Sequence, residues 1–205
     1  MNSLGLIVSG SSIVRVIADT SSPIRHEPVT DLDIYVPGVN RVPAQAMLQD
    51  QGYRVSEGDA INLMMADMRV DEMHHYGQRG IASVAKFTHP ETGRRLDFVV
   101  CASSGVSMLR DSPHARTERI LLTPPLQPLQ VIRGFHSTVV QNWVKQGKLV
   151  CRYPKALNTV GTFLTGQNPY EYHEDSEEKL RALKEKWARY GFPFMTGAPG
   201  PAHPQ

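Results

Sequence analysis

Asp31 and Asp33 flank Leu32 in the stretch Asp31-Leu32-Asp33-Ile34-Tyr35-Val36-Pro37. In a strand, residues two apart share a face. Both carboxylates therefore project together, while Leu32 and Ile34 turn to the opposite, buried side. Two adjacent carboxylates repel, and one tends to hold a proton unless a cation joins them. Hard divalent ions such as Mg²⁺ or Mn²⁺ take oxygen ligands and keep contacts to substrate phosphates, which makes the pair a plausible metal platform. A second apolar run, Arg94-Arg95-Leu96-Asp97-Phe98-Val99-Val100, offers Asp97 by the same alternation. If the two strands are neighbours, Asp31, Asp33 and Asp97 converge on one face. Such a site holds two metals that polarise a phosphoryl group, help deprotonate a hydroxyl and stabilise a leaving group.

A second feature suits the phosphate. Gly10 closes the apolar run Leu6-Ile7-Val8-Ser9, and Ser11 and Ser12 follow it. Glycine lets a ligand approach the backbone closely, and the start of a helix presents unpaired amides to an anion. The hydroxyls of Ser11 and Ser12 add hydrogen bonds, and either can cap the helix.

The elements that must position these residues follow from periodicity. Residues 5–10 read as a buried strand, and 11–18 as a helix with Ile13, Val14, Ile17 and Ala18 on one side. The segment 32–37 is a second strand ended by Pro37-Gly38, and a helix runs from near Pro43 to near Gly52. Residues 61–77 are Met-rich and ambiguous. The clearest hairpin has two β-rich runs around Pro90-Glu91-Thr92-Gly93, which places Asp97 on its second arm. Residues 103–125 are polar and irregular. Val131, Phe135, Val139 and Trp143 recur every four residues, with Ile132 beside them, and predict an amphipathic helix over 129–147. Residues 176–191 predict a charged helix ended by Gly191, and 196–205 a disordered tail. One unit thus spans residues 1–165, a helical appendage 166–193 and a tail 194–205.

Composition bounds the rest. With 205 residues, 40% hydrophobic, the chain can bury one real core. A net charge of +2 gives no bulk nucleic-acid signature, so nucleotide chemistry must come from local geometry. Cys101 and Cys151 lie far apart without CxxC spacing, which argues against a disulfide framework or zinc site and predicts buried thiols in a reducing compartment. No apolar run approaches a membrane span, and the opening segment lacks a basic leader, so the expectation is an intracellular, cytoplasmic protein without membrane contact.

The order of these segments resembles the nucleotidyltransferase superfamily typified by DNA polymerase β: Gly10-Ser11-Ser12 after a strand, an Asp31-x-Asp33 strand, and Asp97 on a later strand. More narrowly, the segments at residues 8–14, 31–37, 80–87 and 135–144 resemble nucleotidyltransferase-like proteins of mushroom-forming fungi, over roughly residues 5 to 165. The resemblance implies an α/β (α+β) fold, a mixed β-sheet flanked by helices. It also implies Mg²⁺-dependent transfer of a nucleoside monophosphate from an NTP to a hydroxyl, with release of pyrophosphate. Asp31 and Asp33 would bind the metals, Asp97 would complete the site and favour deprotonation of the acceptor, and Gly10 and Ser11 would hold the triphosphate. Against that pattern, the chain begins almost at the first strand, the gap before Asp31 is long, and residues 107–124 read as an insertion.

Other signals resolve to packing. His74 and His75 are adjacent and diverge on either a helix or a strand, and His136-Ser137 lacks a GxSxG elbow. Arg94 and Arg95 could meet phosphate or an acidic partner; at most one faces the acidic side, and a solvated turn is the simpler reading of both. Met64, Met65, Met68 and Met73 suit core packing or a pliable surface. There is no P-loop, GxGxxG turn or HExxH helix. Two functions lead: a metal-dependent nucleotidyltransferase with NTP as donor and an acceptor of unknown class (protein, small molecule or RNA), or an inactive relative that binds a nucleotide or a protein; a general phosphohydrolase is a third, since carboxylates and metals also serve hydrolysis.

Overall fold

In the computed structural model, the described residues are 4–18, 22–26, 31–65, 80–102, 105–108, 120–123, 127–133, 135, 137–154, 162 and 176–195. The sheet strands are β1 (Ile7–Ser9), β2 (Asp33–Pro37), β3 (Arg54–Val55), β4 (Ile81–Thr88), β5 (Arg95–Cys101), β8 (Asn142–Lys145) and β9 (Lys148–Cys151). Between them run α1 (Ser11–Ile17), α2 (Arg41–Asp50), α3 (Glu57–Met65) and α4 (Pro128–Arg133), and α5 (Ser176–Arg189) follows. The seven strands are ordered β3-β4-β5-β2-β1-β8-β9. The β2–β5 pair is parallel and the other pairs antiparallel, so the sheet is mixed and the fold α+β.

Alternation decides which face each residue joins. Along β4, Ala85 and Phe87 are buried while Lys86 and Thr88 are exposed. Ala85 and Phe87 join Ile34, Val36, Leu96, Phe98 and Val100 beneath Ala44 and Leu48 of α2 and Leu63 of α3. The other face carries Ile7, Tyr35, Val99 and Cys101 beneath Val131 and Ile132 of α4, with Phe135 and Trp143. A third cluster joins Val14 and Ala18 to Ile24, Val139, Trp187 and Phe192. The charged helix α5 is thereby fastened to α1, and Ser22 Oγ donates to Tyr190 O at 2.9 Å beside it.

The β4–β5 hairpin forms where the alternation places it, closed by the His89 amide donating to Arg94 O at 2.8 Å. The ambiguous Met-rich region begins as α3, started by Ser56, whose Oγ accepts from the Asp59 amide at 3.2 Å. The region read as irregular contains a separate ribbon, β6 (Gly105–Met108) antiparallel to β7 (Ile120–Thr123). The ends of the expected insertion therefore pair with each other.

The helix expected over 129–147 is not there. It breaks into α4, a single 3₁₀ turn at Thr138–Val140, and β8. The four apolar residues are buried as their spacing requires, yet so are Ser137, Thr138, Gln141 and Asn142, which an amphipathic helix would leave in water. These polar residues replace the helical ladder. Gln141 Nε2 donates to Phe135 O at 2.7 Å, Thr162 Oγ1 accepts the Val139 amide at 3.2 Å, and Asn142 Nδ2 donates to Val139 O at 2.7 Å. A helix would have joined the Val139 amide to Phe135 O.

Met68, Met73, His74, His75, His136 and the tail from residue 196 lie outside the described residues. Among the described residues, no helix is long and apolar enough to cross a membrane.

Candidate functional site

One row of side chains crosses the sheet. Ser9 of β1 pairs in register with Asp33 of β2, Asp33 with Asp97 of β5, and Asp97 with Lys86 of β4. Residues in register on neighbouring strands project to the same side. The row therefore reads Ser9, Asp33, Asp97, Lys86 on the face that α4 covers farther along the strands. Asp31 lies just before β2, where Leu32 O still accepts the Asp97 amide at 3.0 Å. The two sequence segments carrying carboxylates thus meet as neighbouring parallel strands.

Their charges act on one another. Asp33 is raised from 3.8 to about 7, first by burial and then by the Asp97 and Asp31 carboxylates, with Lys186 opposing. Asp97 is also raised, by burial and then by Asp31, with Lys86 opposing. Tyr35, next along the same face, is raised by burial and by Asp33. The carboxylates form a row and not a finished cage: among the described residues, no three His, Cys, Asp or Glu side chains are gathered closely enough to hold a metal ion.

The Gly10 turn adjoins this row directly. Gly10 has φ 86°, a conformation that side chains rarely adopt, and a Cβ there would overlap the Asp33 carboxylate. Glycine is thus needed both for the backbone bend and for the closeness of Asp33. Below the turn, fully buried Ser9 donates from Oγ to Asn142 O at 2.6 Å, which ties the end of β1 to β8.

The expected serine cap is replaced by Gly10 itself, whose carbonyl accepts the Ile13 and Val14 amides, and no side chain caps α1. Ser11 and Ser12 already lie inside the first turn, too late to cap it. Ser12 Oγ donates back to Ser9 O at 3.4 Å. Helix α1 has only seven residues and adds little field of its own.

Three charged residues near the carboxylates, Lys86, Asp59 and Lys186, escaped the sequence reading, and a fourth, Arg95, is the one of the Arg94-Arg95 pair that faces the acidic side. Lys86 was legible in principle, because the hairpin's alternation sets it opposite Asp97. Arg95 has the same parity as Asp97, so it shares that face, while Arg94 lies in the turn outside β5. Asp59 accepts from Ser56 Oγ at 3.0 Å and from the Lys86 amide at 3.3 Å, covering the edge of β4. Lys186 is brought beside Asp33 by the seating of Trp187 against α1, and nothing local in the charged helix signals that.

Buried Ser137 has no hydrogen-bond partner for its hydroxyl among the described residues. Cys101 is buried, which pushes its thiol up to about 12, and burial raises half-buried Cys151 as well. Neither thiol has the depressed pKa of a nucleophile.

No family model and no curated protein matches the sequence. A solved structure described as a tRNA-processing enzyme in an apo form is similar at 17% identity and a TM-score of 0.47, over 95% of this chain and 40% of that one. The chain spans less than half the length of that enzyme.

Proposed function

We propose that this domain transfers a nucleoside monophosphate from an NTP to a hydroxyl acceptor, with Mg²⁺ or Mn²⁺ as cofactor. The observation that carries the reading is the register Ser9–Asp33–Asp97 across three strands, with the Gly10 turn in contact with Asp33. The donor set fits a hard divalent cation, because only oxygen ligands face the site and their mutual repulsion falls when a cation joins them. Asp31, Asp33 and Asp97 would hold it, and substrate phosphate and water would complete a shell that the chain alone leaves open. When bound, the ion supplies charge stabilisation for the phosphoryl group and the leaving pyrophosphate.

The chain's own residues then divide the work. Gly10 admits the triphosphate close to the backbone, where Ser11 and Ser12 hydroxyls and the first amides of α1 donate to it. Lys186, whose charge acts on Asp33, would offset phosphate charge. Asp97, the most distant carboxylate from the turn along the row, accepts the proton of the attacking hydroxyl. Binding without turnover is the second reading, favoured by the incomplete ligand cage.

Calorimetric titration with a non-hydrolysable NTP, with and without Mg²⁺, tests the reading. Metal-dependent binding that Asp31→Ala/Asp33→Ala abolishes is the expected result. No binding by a folded wild type overturns it. Binding with no loss of NTP in the presence of candidate acceptors selects the second reading.

A further inference from the structure

The row has a direction. The Gly10 turn adjoins Asp33 at the β1 side, so a donor held there leaves Asp97 and β4 as the approach for the acceptor. That side is basic. Lys86 is in register with Asp97, one strand away, and Arg95 precedes Asp97 by two residues on the same face, in register with Thr88. Lys86, Thr88 and Arg95 are all exposed, at the end of the face that Val131 and Ile132 cover farther up. Among the described residues, neither Lys86 nor Arg95 is held in a salt bridge. Asp59 accepts from Ser56 Oγ and from the Lys86 amide at the β4 edge.

We infer that Lys86 and Arg95 form an anion-binding strip that takes the phosphate of the acceptor, and that the acceptor is a sugar carrying both a free hydroxyl and a phosphate, as at a nucleotide end. Two residues along a strand span about 7 Å, and adjacent strands lie about 5 Å apart. A hydroxyl at Asp97 and a phosphate at Arg95 are thus separated by roughly the width of one sugar ring. An arginine and a lysine together suit this ligand: the guanidinium fork matches a phosphate in two hydrogen bonds, and the ammonium adds a point charge. A phosphate there would add a partner for exposed Arg95 and a second one for Lys86, whose charge already acts on Asp97.

This assignment rests on the nucleotidyltransferase reading for its direction, but its test does not need turnover. The probes are a dinucleoside monophosphate with a free 3′-hydroxyl, a nucleoside 5′-monophosphate and the corresponding nucleoside. Each is titrated by calorimetry into Asp31→Ala/Asp33→Ala protein, whose donor side is disabled, with and without Lys86→Ala/Arg95→Ala. Both basic residues are exposed, so their loss leaves the core intact. The expected result is at least ten-fold weaker binding of a phosphate-bearing probe when the two cations are removed, and no change for the nucleoside. Stronger binding of the mononucleotide identifies a free nucleotide as acceptor, whereas stronger binding of the dinucleoside monophosphate identifies a nucleic-acid end. Equal affinity with and without the cations, or equal affinity for nucleoside and nucleotide, overturns the assignment. In otherwise wild-type protein, Arg95→Ala, which leaves the Lys86 charge beside Asp97, retains NTP affinity within about two-fold, and loss of NTP binding there also overturns the assignment. Failure of the parent reading shows separately, as absence of NTP binding by the wild type.

Discussion

Replacing Asp33 with asparagine preserves the side chain's shape beside Gly10 and removes one charge from the row. Asp33 is held at about 7 instead of 3.8, so the folded protein keeps a proton that the unfolded chain releases at lower pH. Between those two values the folded state binds more protons, and its stability falls as pH rises, levelling off above about 7. At about 1.4 kcal/mol per pK unit, the complete loss is about 4 kcal/mol, of which about 3 kcal/mol falls between about pH 5 and about pH 8.5. Urea unfolding of metal-free protein across that interval measures it. Wild type should weaken by about 2–3 kcal/mol, whereas Asp33→Asn should weaken by less than half as much and be the more stable protein at the alkaline end. Parallel pH profiles for the two proteins would refute the argument that burial and neighbouring carboxylates strain this group.

Three further outcomes follow from named contacts. Gly10→Ala should cost about 2–4 kcal/mol through positive-φ strain and overlap with Asp33, and about 1–3 kcal/mol of this should return in an Asp33→Ala background, read by a double-mutant cycle in urea. Trp187→Ala should cost about 3–5 kcal/mol in the same assay, because the indole is buried against Val14, Ala18 and Val139. Lys186→Ala should leave stability within about 0.5 kcal/mol while weakening NTP binding about ten-fold in calorimetry, and an unchanged affinity would remove Lys186 from the donor side.

The carboxylate row was legible because strand alternation leaves little choice: Asp31, Asp33 and Asp97 interrupt apolar runs, and a buried sheet face fixes register. The hairpin was legible for the same reason. The region after Arg133 was not, because an apolar residue every fourth position records burial and not the backbone that achieves it. The decisive information was polar. Gln141, Asn142 and Thr162 satisfy backbone groups from the side, and those partners are assigned only once the chain has folded around them. Lys186 was hidden for a related reason: its place depends on where Trp187 docks, not on its own neighbours in the helix. The serine cap failed on a shift of one position, where Gly10 occupies the cap and leaves Ser11 and Ser12 inside the turn.

The docking of α5 on α1 has a consequence for how the site comes into being. Ser22 and Tyr190 are separated by 168 residues, and Ser9 and Asn142 by 133, yet both contacts brace the segment around the Gly10 turn. Contacts between such distant parts of a chain form late, since the loops between them must close first. During synthesis, Gly10, Asp33 and Asp97 emerge well before the helix that delivers Trp187 and Lys186. A nascent chain can therefore expose three crowded carboxylates without the nearby cation that moderates Asp33. The Asp33 end of the row thus gains its moderating cation only when α5 has seated on α1.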